Sequence, residues 1–255
     1  WVINFPPTFG MYPFSTAVCG GETVTVPRDA GYNVDAAAVR RAVDDRTKVI
    51  FIASPNNPTG NVTGQETLLE LLDTGVVVVV DEAYYEFSGR TFVPLVRERP
   101  NLIVLRTFSK WAGLGGLRAG YGIFPAGIAE LIRRIKLPYN VNVAAIIAMR
   151  ESLADVEYLR GNIRAIVRER ERLVSLLREQ GVLDPLPSEA NFVLCRVKTA
   201  DALEIKQELD RQGIFIRHFC MPSTEDMLRI SVGKPEHTDA LLGALARWQG
   251  GKYGK

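Results

Sequence analysis

The 255-residue sequence reads as an α/β protein: a mostly parallel sheet with helices on both faces, followed by a smaller C-terminal α/β unit. Three observations support that class. Residues 76–80 are five consecutive valines, and an unbroken β-branched run suits a strand buried on both faces, as in a parallel sheet covered by helices. Apolar runs of strand length alternate with helical-period segments as far as Asp155, the pattern of a parallel sheet built by crossover helices. Beyond Asp155 the order changes to one long charged helix followed by short strands and two helices.

In chain order, apolar runs predict strands at 23–26, 49–53, 76–80, 102–105 and 120–124, with helices at 34–43, 65–72, 126–135 and 143–153. Thr63 followed three residues later by Glu66 gives the 65–72 helix a capping box, and Gly75 lies just past its end. After Asp155, Leu159, Ile163, Ile166, Val167, Leu173, Leu176 and Leu177 recur at a helical period. The arginines and glutamates between 160 and 179 are then the solvated face of an amphipathic helix rather than a binding patch. Strands at 192–197, 215–217 and 228–232 and helices at 200–212 and 237–248 complete the smaller unit, and Gly250-Gly251 reads as a frayed tail. The division places a large domain at 1–155 and a small one at 156–255.

Composition narrows the function classes. With 47% hydrophobic and 24% charged residues, the chain has the make-up of an ordinary globular protein. A net charge of +2 gives no electrostatic case for nucleic acid or an anionic membrane. The valine run is far too short to cross a bilayer. Cys19, Cys195 and Cys220 are widely separated and, with His218 and His237, make no metal-ligand spacing, so neither a metal nor a structural disulfide is expected.

The chemistry-bearing residues cluster after three of the expected strands. Lys110 follows the 102–105 run within Arg106-Thr107-Phe108-Ser109-Lys110-Trp111-Ala112-Gly113-Leu114-Gly115-Gly116-Leu117-Arg118. A lysine attacks carbonyls and forms a Schiff base when desolvation or nearby cations lower its pKa. Pyridoxal 5'-phosphate needs such a lysine together with hydroxyl and guanidinium donors for its phosphate, and Thr107, Ser109 and Arg118 are those groups. The bland alternative is a surface lysine in a flexible loop. Ser54-Pro55-Asn56-Asn57-Pro58-Thr59-Gly60 follows the 49–53 run and is equally good turn chemistry. Asp81, at the end of the valine run, lies where open α/β sheets bind ligands, although a carboxylate there also serves as an ordinary turn or cap. Order and spacing together favour the site.

With these motifs in place, the chain resembles the fold-type I pyridoxal-phosphate aminotransferases, and most closely their histidinol-phosphate branch. The matching text is Pro6-Pro7-Thr8-Phe9-Gly10-Met11-Tyr12, Ser54 to Gly60, Asp81 to Phe87, Arg106 to Tyr121, Pro138-Tyr139-Asn140-Val141 and Leu228-Arg229-Ile230-Ser231-Val232-Gly233. The resemblance implies that Lys110 holds the cofactor and then moves the substrate α-proton. It implies that Asp81 pairs with the pyridine nitrogen, that Asn57 and Tyr84 bond the ring hydroxyl oxygen, and that Phe9 stacks on the ring where many relatives carry tyrosine or tryptophan. Arg229 would clamp the substrate α-carboxylate and Arg217 the substrate phosphate. Of the adjacent carboxylates, Asp81 is expected to be the one whose loss slows carbanion formation while folding stays largely intact, and substitution of Glu82 to be far milder for that step.

The same resemblance implies a homodimer and an N-terminally truncated sequence. The family pattern begins before Trp1, where relatives supply an N-terminal arm, a glycine-containing phosphate cradle and a tyrosine given across the dimer. The expected reaction transfers the amino group of glutamate to imidazole-acetol phosphate, giving histidinol phosphate in histidine biosynthesis. It would take place in the cytoplasm, or in the plastid stroma of a plant or alga. An aromatic aminotransferase or a phosphothreonine-type decarboxylase on the same scaffold is the same-class alternative. A non-catalytic aminotransferase-like ligand sensor is the different-class one.

Overall fold

The computed structural model describes residues 1–198, 201–219 and 224–253. Six strands, β1 (Val2–Asn4), β2 (Thr23–Thr25), β3 (Val49–Ala53), β4 (Val77–Asp81), β5 (Leu102–Thr107) and β6 (Gly120–Ile123), form one sheet in the order β2-β1-β3-β4-β5-β6. Every neighbouring pair is parallel except β5 and β6. The register sets Ile50 beside Val78 and Val78 beside Leu102, so Ile3, Ile50, Ile52, Val78, Val80, Leu102 and Val104 line one face. Helices α2 (Ala36–Ala42) and α3 (Gln65–Leu72) cover that face with Val39, Leu68 and Leu71, all fully buried. Replacing one such leucine by alanine costs about 2–5 kcal/mol, because the cavity left behind collapses only partly. On the opposite face Val79 and Ile103 are buried as well, which explains why β4 lacks alternation.

The two short leading elements, β1 and the helix α1 (Met11–Val18), carry no sequence period long enough to be read. α1 tolerates Pro13 because its first-turn amide needs no intrahelical partner. The capping box at Thr63 does not form. Gly64 is the N-cap of α3 without a side-chain bond, and the Thr63 amide instead donates to Ser54 Oγ at 3.0 Å. Gly75 does adopt the left-handed φ of +77° beyond the helix.

A short helix α4 (Tyr85–Ser88), then α5 (Ala126–Ile135) and α6 (Val143–Ala154), lead to α7 (Val156–Gln180), with Asp155 between the last two. Ile163 of α7 packs with Tyr84 and Phe87, whereas Leu173 and Leu177 enter a second core. The charged face of α7 is only partly solvated, which corrects the expectation. Glu169 and Arg170 are buried, and Arg170 Nη1 donates to the Ala190 carbonyl at 3.0 Å. The second core lies under an antiparallel sheet of β7 (Leu183–Pro185), β8 (Phe192–Val197), β9 (Arg217–His218) and β10 (Met227–Ser231), ordered β7-β8-β10-β9. Helices α8 (Ala202–Arg211) and α9 (Pro235–Tyr253) complete this unit.

Two further expectations are adjusted. The 215–217 strand shrinks to Arg217–His218, because the Ile214 amide is drawn back to the Leu209 carbonyl at 2.9 Å and Phe215 stays exposed. Gly250-Gly251 continues α9 rather than fraying. Ala200, at the expected start of a helix, and Cys220 lie outside the described residues. Among the described residues no helix is long and apolar enough to cross a membrane.

Candidate active site

Strands β3, β4 and β5 run parallel, so their carboxyl ends open on one edge, and the loops leaving them wall a cavity of about 440 Å³. That size falls within the roughly 300–1,000 Å³ of small-molecule sites. Asn57 comes from the loop after β3, Asp81 closes β4, and Thr107, Ser109, Lys110 and Arg118 follow β5. Phe9, Tyr12 and Tyr84 complete the aromatic part of the wall. All eight residues assigned to the cofactor from the sequence, Phe9, Asn57, Asp81, Tyr84, Thr107, Ser109, Lys110 and Arg118, therefore share one cavity.

Local backbone chemistry fixes the segment after β5. Thr107 Oγ1 lies 2.8 Å from Ser109 Oγ, accepts the Ser109 amide at 3.0 Å and donates to the Ala119 carbonyl at 3.2 Å. The Leu114 amide returns to the Phe108 carbonyl at 3.1 Å, folding the glycine-rich stretch back beside Lys110. Gly120 pairs with Thr107 across β5 and β6, and a Cβ there would stand 2.7 Å from the Arg106 carbonyl oxygen. Arg118 holds the left-handed φ of +57°, a conformation that arginine seldom adopts and that tends to occur at functional positions. Its guanidinium donates to the Gly115 carbonyl at 2.9 Å. Two hydroxyls and one guanidinium on this wall form a donor set suited to a phosphate.

On the facing wall, Asp81 accepts the Ala83 amide at 3.0 Å on one oxygen and the Tyr12 hydroxyl at 2.7 Å on the other. Withdrawal from solvent raises the pKa of Asp81, while Tyr12, Ala83 and the charge of Lys110 oppose the rise. Tyr84 is buried, and burial holds its phenol above the ordinary range, opposed by the charge of Arg229 and aided by Asp81. It remains a donor at neutral pH. Lys110 Nζ lies 5.7 Å from the centroid of the Tyr84 ring. The residues thus place an amine, a carboxylate, a phenol and a phosphate-type donor set around one space, and pyridoxal phosphate fits this donor chemistry.

The sequence pattern gives Tyr12 no role of its own, although it closes the Phe9-Gly10-Met11-Tyr12 motif. The available signal is spacing: Phe9 and Tyr12 are three residues apart, and the turn entering α1, closed by the Tyr12 amide on the Phe9 carbonyl at 3.3 Å, brings both to the wall.

The small unit contributes from outside the cavity. Arg229, on β10, donates from Nη1 to Asn57 Oδ1 and so reaches the cavity rim. Burial lowers its pKa, Tyr84 opposes this, and the nearby charge of Arg217 lowers it further. Arg217 sits opposite Arg229 across β9 and β10 but is exposed and does not line the cavity.

Glu82, next to Asp81, faces away from the cavity and is fully buried. It accepts Arg106 Nε at 3.0 Å and Nη2 at 2.9 Å, the Phe92 amide at 2.6 Å and the Thr91 hydroxyl at 2.9 Å. Burial and bonding add a structural cost to replacing Glu82, separate from the mild catalytic effect expected of it. A buried carboxylate with this many donors carries stability, whatever it does for chemistry.

Comparison with known proteins gives a consistent picture. Residues 2–245 match the family described as aminotransferase class I and II. A histidinol-phosphate aminotransferase of Dehalococcoides mccartyi is 53% identical over 244 residues, covering 96% of this chain and 68% of that protein. The crystal structure of the histidinol-phosphate aminotransferase from Clostridium acetobutylicum superposes with a TM-score of 0.91 at 25% identity, covering 98% of this chain and 78% of that one. The enzyme of that name from Sinorhizobium meliloti, in complex with pyridoxal-5'-phosphate, superposes with a TM-score of 0.87 at 29% identity, covering 96% of this chain and 69% of that one.

Proposed function

This chain belongs to the class I and II aminotransferases, and on that premise we propose that it carries the cofactor site and carboxylate clamp of a histidinol-phosphate aminotransferase. The reaction moves the amino group of glutamate to imidazole-acetol phosphate and yields histidinol phosphate. The observation that carries this reading is the meeting of Lys110, Asp81 and the Thr107–Ser109–Arg118 donor set on one cavity at the carboxyl edge of the sheet.

Pyridoxal phosphate supplies an electrophilic carbon and an electron-accepting ring when bound there. Lys110 would hold the cofactor through Nζ and would serve as the base for the proton at the substrate α-carbon. Asp81 keeps a proton at the pyridine nitrogen by presenting a negative charge in a site with little water. Asn57 and Tyr84 donate to the ring hydroxyl oxygen, and Phe9 packs on the ring face. Thr107, Ser109 and Arg118 hold the phosphate. Arg229 offers its planar fork to the α-carboxylate, and Arg217, one strand further out, meets the phosphate at the far end of the substrate.

A homodimer is part of this proposal. Phe14 and Val18 on α1, and Leu131, Ile135, Leu137, Tyr139, Val143 and Ile147 along α5, α6 and the segment joining them, are exposed apolar side chains. Surfaces of this kind mark association sites. Sedimentation of the complete protein would give a dimer, and a monomer with full activity would count against it.

The function is tested by adding pyridoxal phosphate, recording the visible absorbance, and then supplying glutamate followed by imidazole-acetol phosphate. Stoichiometric formation of 2-oxoglutarate and then histidinol phosphate supports the reading. A cofactor-loaded protein that transfers amino groups to other keto acids but not to imidazole-acetol phosphate would overturn the substrate assignment.

A further inference from the structure

Tyr12 is the second residue of α1, is 7% exposed, and lies in the cavity wall. Its ring stacks on Phe51 of β3 with centroids 5.0 Å apart and planes 7° from parallel. On its other side the Phe9 ring meets it edge-on at 5.7 Å and 81°. Its hydroxyl, held by that packing, donates to Asp81 Oδ2 at 2.7 Å. One side chain therefore touches both the carboxylate and the aromatic that the site offers to a heteroaromatic ring.

We infer that Tyr12 is a positioning residue for the cofactor: its hydroxyl fixes the rotamer of Asp81 and keeps that carboxylate ionised, and its ring sets the angle of Phe9. This rests on the reading of the cavity as a pyridoxal-phosphate site. The electrostatic logic is direct. A carboxyl withdrawn from water is driven toward its neutral form, and a neutral acid cannot hold a proton on a pyridine nitrogen by charge. Three groups oppose that drift at Asp81: the Tyr12 hydroxyl, the Ala83 amide and the charge of Lys110. The amide belongs to the same turn as Asp81 and is present in any such strand end. Lys110 is committed to the cofactor. That leaves Tyr12 as the donor whose presence depends on another element. It also resists ionisation: burial, then Asp81, then Tyr84 raise its pKa, and only Arg28 opposes. Tyr12 thus stays a proton donor throughout the working range.

The experiment compares the complete protein with its Tyr12→Phe variant, both loaded with pyridoxal phosphate labelled at the ring nitrogen. Phenylalanine keeps the stack on Phe51 and the edge contact to Phe9, so melting temperature should change little. Cofactor affinity is expected to fall about tenfold or more, the effect of removing one hydrogen bond to a charged group. Nitrogen NMR should find the ring nitrogen protonated in the parent and shifted toward the unprotonated position in the variant at the same pH. Phe51→Leu, which keeps the hydroxyl but removes the ring beneath it, should move both readouts the same way by less. A Tyr12→Phe protein whose ring nitrogen stays protonated overturns the inference, whether or not its affinity or stability has fallen. A parent protein that takes up no cofactor overturns the cavity assignment instead.

Discussion

Asp81 and Glu82 leave the end of the same strand in opposite directions, and the two regions they enter are built on different terms. On the cavity side, Asp81 has two donors, the Tyr12 hydroxyl and the Ala83 amide, and its pKa is raised by loss of solvent. On the other side, Glu82 is fully buried and meets Arg106 twice, Thr91 and the Phe92 amide, while the Arg106 guanidinium also lies 3.6 Å over the Tyr85 ring. Around Glu82 itself the carboxylate is saturated by protein donors. The cavity side holds a charge at some cost to the fold, as functional sites commonly do. Two acids of nearly equal chemistry, adjacent in sequence, are thus separated by what surrounds them: one is enclosed by protein donors and the other faces the cavity.

The largest effect expected from breaking this contrast is on the stability side. Glu82→Ala leaves the Arg106 charge facing a buried space, and removal of one partner from such a pair costs about 3–5 kcal/mol. Urea denaturation should report that loss, while the protein that remains folded transaminates near the parental rate. Asp81→Asn should do the reverse. Turnover is expected to drop by about a hundredfold or more, the scale of losing a preorganised electrostatic partner. Melting temperature should hold steady or rise, because a carboxyl whose pKa is raised on folding destabilises the charged folded state. Equal stability losses in the two variants would erase the distinction.

Much of this arrangement was legible in the sequence, and the parts that were not share a physical reason. Strand β3 and helix α3 have the bounds that apolar periodicity predicts, since long-range packing and local pattern agree there. Lys110, Asp81 and Asn57 were legible because each follows a strand with strong apolar signal. β1 and β7, at three residues each, are too short for any period to register. The misread capping box at Thr63 turned on a tertiary bond to Ser54, which no local pattern encodes. The buried bonding of Glu82 and the place of Tyr12 are hidden for the same cause. Their partners Arg106 and Asp81 stand 24 and 69 residues away, so burial and bonding appear only once the sheet is assembled.

Two smaller effects sharpen the contrast. Arg217 stands exposed beyond the cavity, opposite Arg229 on the neighbouring strand, with its guanidinium 5.8 Å from the Phe219 ring centroid. Arg217→Ala should raise KM for histidinol phosphate by about tenfold or more, as expected for one lost charge-assisted bond to phosphate. The KM of an uncharged aromatic amino acid should be unaffected, and equal losses would remove the phosphate role. Glu86, close to Glu82 and Arg106, has one buried carboxylate oxygen without a partner, and burial pushes its pKa up to about 7 from 4.5. A carboxyl raised on folding supports the folded state fully below its unfolded pKa, and that support is lost as pH rises through the folded value. Melting temperature should therefore decline between about pH 4.5 and 7 on this account, and Glu86→Gln should flatten the decline. An unchanged slope in the variant would assign the pH dependence to another group.

The central claim is that Lys110 is the residue that holds the cofactor. Borohydride treatment of the cofactor-loaded complete protein, followed by peptide mapping, tests it most directly. The tag should fall on the peptide containing Ser109-Lys110-Trp111, the visible band should bleach, and Lys110→Ala should show neither band nor tag. A tag on any other lysine, or a reducible band that survives in Lys110→Ala, would contradict the assignment.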